Sequence, residues 1–87
     1  MARVLSPWNF AASLVPGYRV NIGRASSDRW IVWAEDGKDE FILGAHGRAG
    51  PRLFATLDSA YSATRQAALD GRIRAVVVRP GSAPEAS

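Results

Sequence analysis

Arg29-Trp30-Ile31-Val32-Trp33-Ala34-Glu35-Asp36-Gly37-Lys38-Asp39-Glu40-Phe41-Ile42-Leu43-Gly44 reads as two strands joined by a turn. Its first half is rich in Trp, Ile and Val, side chains that suit a pleated, buried surface. Asp36-Gly37 is a strong hairpin signal, because a type I′ turn needs positive φ at both central residues. A two-residue loop there sets Glu35 against Lys38, Trp33 against Glu40, Val32 against Phe41, Ile31 against Ile42 and Trp30 against Leu43. One face of the hairpin then carries Trp30, Val32, Phe41 and Leu43, and the other carries Ile31, Trp33 and Ile42. Both faces are apolar, so both need cover.

Upstream of this hairpin, Tyr18 to Arg24 alternates, with Tyr18, Val20 and Ile22 on one side and Arg19, Asn21 and Arg24 on the other or at the end. That pattern predicts a half-buried strand, and Ala25-Ser26-Ser27-Asp28 supplies the turn after it. Earlier still, Ser6-Pro7 before Trp8, Phe10, Ala11, Ala12 and Leu14 suits a short helix with serine as N-cap and proline in the first turn. An irregular arm carrying Trp8 and Phe10 is the alternative, since two helical turns are marginal without packing. Pro16-Gly17 ends either one.

Downstream, the third strand runs from Lys38 to about Gly44. Gly44-Ala45-His46-Gly47-Arg48-Ala49-Gly50-Pro51 reads as a loop and Arg52 to Ala55 as a short strand. Thr56 is placed to cap a helix over Leu57 to Asp70, with Asp58 in the first turn and Gly71 as terminator. Leu57, Ala60, Tyr61, Thr64, Ala67 and Ala68 line one side of it, a stripe small enough to lie close on a sheet. Ile73 to Val78 is the last strand. The expected fold is α+β, a small antiparallel sheet of four to five strands with one main helix packed on one face. Residues 1–16 form an N-terminal arm or short helix, 17–79 the domain and 80–87 a disordered tail.

Eighty-seven residues, 47% apolar and 22% charged, suffice for one core and argue against disorder. No cysteine is present, which removes disulfides, thiolate metal sites and cysteine nucleophiles. The apolar run after Met1 is broken by Ser6, Pro7 and Asn9 before it resembles a signal peptide, and no stretch approaches the ~20 apolar residues of a membrane span. The expected location is the cytoplasm.

Catalysis has little to work with. His46 is the only histidine, and Glu35, Asp36, Asp39 and Glu40 crowd a hairpin tip where water screens them. One imidazole without spaced partners does not complete a metal shell. The chain is therefore read as a non-enzyme without metal or cofactor. The glycine-bracketed His46 and Arg48 have a second reading as a phosphate cradle, beside the simpler one of a surface loop.

Net charge is +3, carried by ten arginines and one lysine against eight acids. Arginine favours bidentate contacts to phosphate or carboxylate, although codon usage in a G- and C-rich genome also raises its share. Residues 35–40 hold a net charge of −3, which leaves +6 on the rest and makes the domain electrically polar. Arg72, Arg74 and Arg79, with Arg19, Arg24 and Arg29, form a basic stripe for nucleic acid or an acidic partner if their strands are neighbours. Solvated strand faces yield the same pattern with no function. Ile31, Trp33 and Ile42 are the candidate partner-binding surface, to be covered by a partner, by a second copy in a homodimer, or by Trp8 and Phe10 folding back.

Two stretches resemble ParC-like partition-associated accessory proteins of bacterial plasmids and integrative elements. One is Tyr18-Arg19-Val20-Asn21-Ile22-Gly23-Arg24 with Trp30-Ile31-Val32. The other is Arg52-Leu53-Phe54-Ala55-Thr56-Leu57-Asp58-Ser59-Ala60 followed by a helix, a glycine and a Val-rich strand, so the resemblance spans most of residues 17–79. It implies a mobile-element accessory protein without enzymatic activity and transfers no functional residue. Small plasmid and phage proteins of this size also include anti-CRISPR proteins, which inhibit host defence by occupying protein or nucleic-acid sites. The functional expectation is a binding protein of a mobile genetic element that docks on a protein or nucleoprotein complex, with inhibition of host defence as its most specific form. The alternative is direct nucleic-acid binding in plasmid maintenance.

Overall fold

The computed structural model describes residues 3–14, 19–26, 28–35, 39–47, 49–69 and 75–82. In chain order the elements are β1 (Arg3–Leu5), α1 (Pro7–Ser13), β2 (Arg19–Ser26), β3 (Arg29–Glu35), β4 (Glu40–Leu43), α2 (Leu57–Leu69) and β5 (Ala75–Ser82). The strands form one sheet in the order β1-β4-β3-β2-β5. The α+β class is as expected, but the sheet is mixed rather than antiparallel. β2, β3 and β4 make an antiparallel meander, while β1 joins β4 and β5 joins β2 in parallel.

The hairpin register differs from the expected one. Glu35 pairs with Glu40, Ala34 with Phe41 and Trp33 with Ile42. Four residues therefore separate the paired ends where two were expected; the Asp36-Gly37 turn itself lies outside the described residues. The physical gain is clear at Trp33, which now meets Ile42 rather than the carboxylate of Glu40. A slide of two residues keeps every side chain on its own face. Trp30, Val32, Phe41 and Leu43 accordingly share one face, and Ile31, Trp33 and Ile42 the other.

Both helices serve the first face. Ser6 caps α1, its side-chain oxygen accepting from the Asn9 N–H at 3.3 Å, and Pro7 takes the first turn, as the sequence predicts. Phe10 and Leu14 then enter the core, the Phe10 ring meeting Phe41 edge-on at 5.5 Å. Pro16-Gly17 lies outside the described residues. Thr56 caps α2 by accepting from the Ser59 N–H at 3.1 Å. Ala60 and Thr64 are buried and Leu57 is half-buried, whereas Tyr61, placed on the same stripe by spacing, is exposed. Small side chains let the helix sit close to the sheet, and that closeness leaves the bulky ring at the rim. The Thr64 hydroxyl donates to the Tyr61 carbonyl at 2.8 Å, so its burial leaves the donor satisfied.

Three expectations at the ends of elements need correction. The segment read as an arm adds the strand β1, which pairs Val4 with Ile42 and closes one edge of the sheet. Pro80 to Ser82, expected in a disordered tail, continue β5, where an edge position tolerates a proline. Arg52 to Ala55 forms no regular strand, only the bridges Gly44 to Pro51 and Trp30 to Phe54. β2 is also more deeply placed than a half-buried strand, since it lies between β3 and β5 and buries Asn21 and Gly23 on its second face. The predicted start of the last strand at Ile73, and Gly71 as helix terminator, lie outside the described residues.

Candidate partner-binding surface

A docking surface has to be exposed, and the apolar trio singled out by the sequence is not. Trp33 is 4% exposed, Ile31 3% and Ile42 0%, and Val4 packs against them. The parallel pairing of β1 extends this face by one strand and seats Val4 beside Ile42. Trp8 and Phe10 do not fold over this face. Phe10 packs on the opposite one, and Trp8 points to solvent at 83% exposure.

The arginines divide between the two ends of the sheet. Arg19 pairs with Glu35 across the β2–β3 ladder, at the end where Glu35 also pairs with Glu40. Arg24 lies five residues along β2, about 17 Å away at strand rise. There it pairs with Trp30, and its guanidinium carbon sits 4.6 Å from the Trp30 ring centroid. Arg29 is at the same end but engaged by Asp28, with a 3.2 Å ion pair and a 2.9 Å bond to the Asp28 carbonyl. In the β5 ladder Arg79 falls between Val78, opposite Ile22, and Ser82, opposite Arg24, so its backbone belongs to the Arg24 end. Arg72, Arg74 and Arg48 lie outside the described residues. The strands that carry the expected stripe are neighbours, and of its described members Arg19 lies at one end and Arg24, Arg29 and the Arg79 backbone at the other.

The connector after β4 completes that second end. Beyond Ile42 the ladder with β3 ends: the Leu43 carbonyl accepts from the Arg52 N–H at 2.9 Å, and Gly44 donates to the Leu5 carbonyl at 2.6 Å. His46 sits exposed in a tight loop closed by the bond from Ala45 N–H to Gly50 O at 3.0 Å, with Gly47 and Gly50 at positive φ. The segment then returns to β3, where Trp30 and Phe54 exchange both backbone hydrogen bonds at 2.9 and 2.8 Å. Such a pair puts the two side chains on the same face about 5.5 Å apart at Cα. Arg52 stands two residues before Phe54, and its guanidinium carbon lies 4.8 Å from that ring's centroid.

The result is a row across three neighbouring segments: Arg24 over Trp30, Trp30 bridged to Phe54, and Phe54 under Arg52. Trp30 is half-buried and Phe54 buried, whereas both arginines are exposed. Each contact is of cation–π type, worth about 0.5–1 kcal/mol at an exposed site. That is too little to explain the fold, but it biases each guanidinium toward its ring by a factor of about 2–5. Trp30, Phe54 and Arg52 were missed by sequence reasoning as site residues. The alternation in Arg52-Leu53-Phe54 does put Arg52 and Phe54 on one side, yet nothing local says that Phe54 returns to Trp30.

Among the described residues no group of three or more His, Asp or Glu side chains is placed to hold a metal ion. None of the described helices is long and apolar enough to cross a membrane. No family model, curated protein or solved structure matches the chain.

Proposed function

We propose that this protein is a non-catalytic binding module that docks on a negatively charged protein or nucleoprotein complex through the Arg24, Trp30, Phe54 and Arg52 row. The observation that carries this reading is the pair of guanidinium-over-ring contacts on two residues bonded to each other through their backbones. A guanidinium held by a ring has less conformational freedom left to lose when it takes up a carboxylate or phosphate. The polarity of the sheet supports the same end. Glu35 and Glu40 sit opposite each other at the far end of β3, so an anionic partner is steered toward Arg24 and Arg52 and away from the hairpin tip.

The resemblance to ParC-like accessory proteins adds the setting, a bacterial mobile element acting in the cytoplasm. Occupation of a host defence complex, as anti-CRISPR proteins do, is the most specific form of this reading. Plasmid partition with direct nucleic-acid contact is the second.

The test is capture of partners from host lysate by the full chain, read by mass spectrometry beside two charge-matched variants. Arg24→Gln with Arg52→Gln removes two positive charges at the row. Arg19→Gln with Arg65→Gln removes two elsewhere. The first pair is expected to lose the captured partner while staying folded, with stability lowered by no more than the roughly 1–2 kcal/mol of the two ring contacts, and the second to keep it. Equal capture by both would overturn the assignment of the row.

A further inference from the structure

We infer that the ligand taken by this row is a single-stranded nucleic acid, a reading that rests on the row being the contact surface. Three observations favour it over a duplex or an acidic polypeptide. The first is the helices. Reading a duplex from the major groove commonly uses a helix that carries basic and polar side chains. α1, Pro7–Ser13, contains no charged residue, and the only charged residues of α2, Leu57–Leu69, are Asp58 and Arg65, so its one cation is offset by an acid. Neither is equipped for that groove.

The second observation is the make-up of the row. Sequence-tolerant single-strand sites combine cations that follow the backbone with π-surfaces and arginines on which unstacked bases rest. Here a half-buried tryptophan and two exposed guanidiniums lie side by side across two strand spacings, about 10 Å. Phe54 is buried and Trp30 half-buried beneath Arg24, so the surface offered to a base is the pair of guanidinium planes backed by the rings. An acidic polypeptide needs their charge but gains nothing from stacking on them. The third is position. The Arg24 end is set at the opposite end of β2 and β3 from Glu35 and Glu40. A flexible polyanion therefore meets the row away from Glu35 and Glu40, and the one carboxylate beside it in the β2–β3 turn, Asp28, is paired with Arg29.

The test measures fluorescence anisotropy of the full chain with labelled single-stranded DNA and RNA of about 15 nucleotides, within the usual span of single-strand sites. A duplex of the same sequence and polyglutamate are the comparison ligands. Single strands are expected to bind at least about tenfold more tightly than the duplex or polyglutamate, with stacking supplying the difference. Affinity should fall log-linearly with salt, with a slope of about −1.5 to −2, as two or three phosphate contacts require at roughly −0.7 each. Arg24→Gln with Arg52→Gln should weaken binding by about tenfold or more and flatten the slope. Arg24→Lys with Arg52→Lys keeps the charge but not the planar group, and should recover the salt slope without the full affinity.

Equal affinity for duplex, preference for polyglutamate, or wild-type affinity in the lysine pair would each overturn the single-strand inference. If no oligonucleotide binds, yet the glutamine pair still loses its lysate partner, the inference fails while the docking reading stands. If the glutamine pair keeps that partner, both fail.

Discussion

Gly44 lies so close to Leu5 that a Cβ built on it would stand 2.5 Å from the Leu5 carbonyl oxygen and 3.1 Å from its carbonyl carbon. The Gly44 N–H donates to that same oxygen at 2.6 Å, so the contact is part of how β1 is held against β4. Backbone atoms cannot give way as a flexible side chain can. Gly44→Ala should therefore push the two strands apart at a cost of about 1–3 kcal/mol, the range for overpacking. A denaturant melt checks this, and an unchanged midpoint would mean that β1 does not pair as described.

Gly47 presents the opposite case, with nothing within 4 Å of its would-be Cβ but a φ of +76°. Space is available and backbone conformation is not. Gly47→Val places a β-branched residue where only glycine is comfortable, and should cost about 1–2 kcal/mol. Gly47→Asn should cost clearly less, since asparagine tolerates the left-handed region. Equal melts for the two variants would contradict the positive φ.

Trp33 is a core side chain by burial, so Trp33→Ala should remove about 3–5 kcal/mol of stability. A stability change under about 1 kcal/mol would return Trp33 to the surface and revive the docking role read from the sequence. Val4→Ala should share the effect in smaller measure because Val4 packs on the same cluster.

Phe10 and Trp8 test the N-terminal segment as a pair. They are two residues apart on α1, one buried against Phe41 and the other facing solvent. Phe10→Ala should lower stability by about 3–5 kcal/mol, whereas Trp8→Ala should stay within about 0.5 kcal/mol of the parent. Comparable losses would show that the α1 orientation differs from the one described.

Local pattern carried the sequence a long way. Alternation in Trp30-Ile31-Val32-Trp33 and Phe41-Ile42-Leu43 assigned every one of these side chains to its correct face, because the period of two is a property of the strand alone. Ser6 and Thr56 were legible as caps for a similar reason, since a cap answers to the three or four residues after it. What spacing could not supply was partnership. The two-residue slide of β4 leaves both faces intact, so nothing local distinguishes Trp33 beside Glu40 from Trp33 beside Ile42. Packing apolar against apolar makes that choice in the folded chain. The parallel additions of β1 and β5 are choices of the same kind, made between segments far apart in sequence. So is the candidate site. Arg24 meets Trp30 across the local β2–β3 hairpin, but Arg52 and Phe54 join them only because the segment after β4 returns to β3 at Phe54, a long-range contact that no run of neighbouring residues encodes.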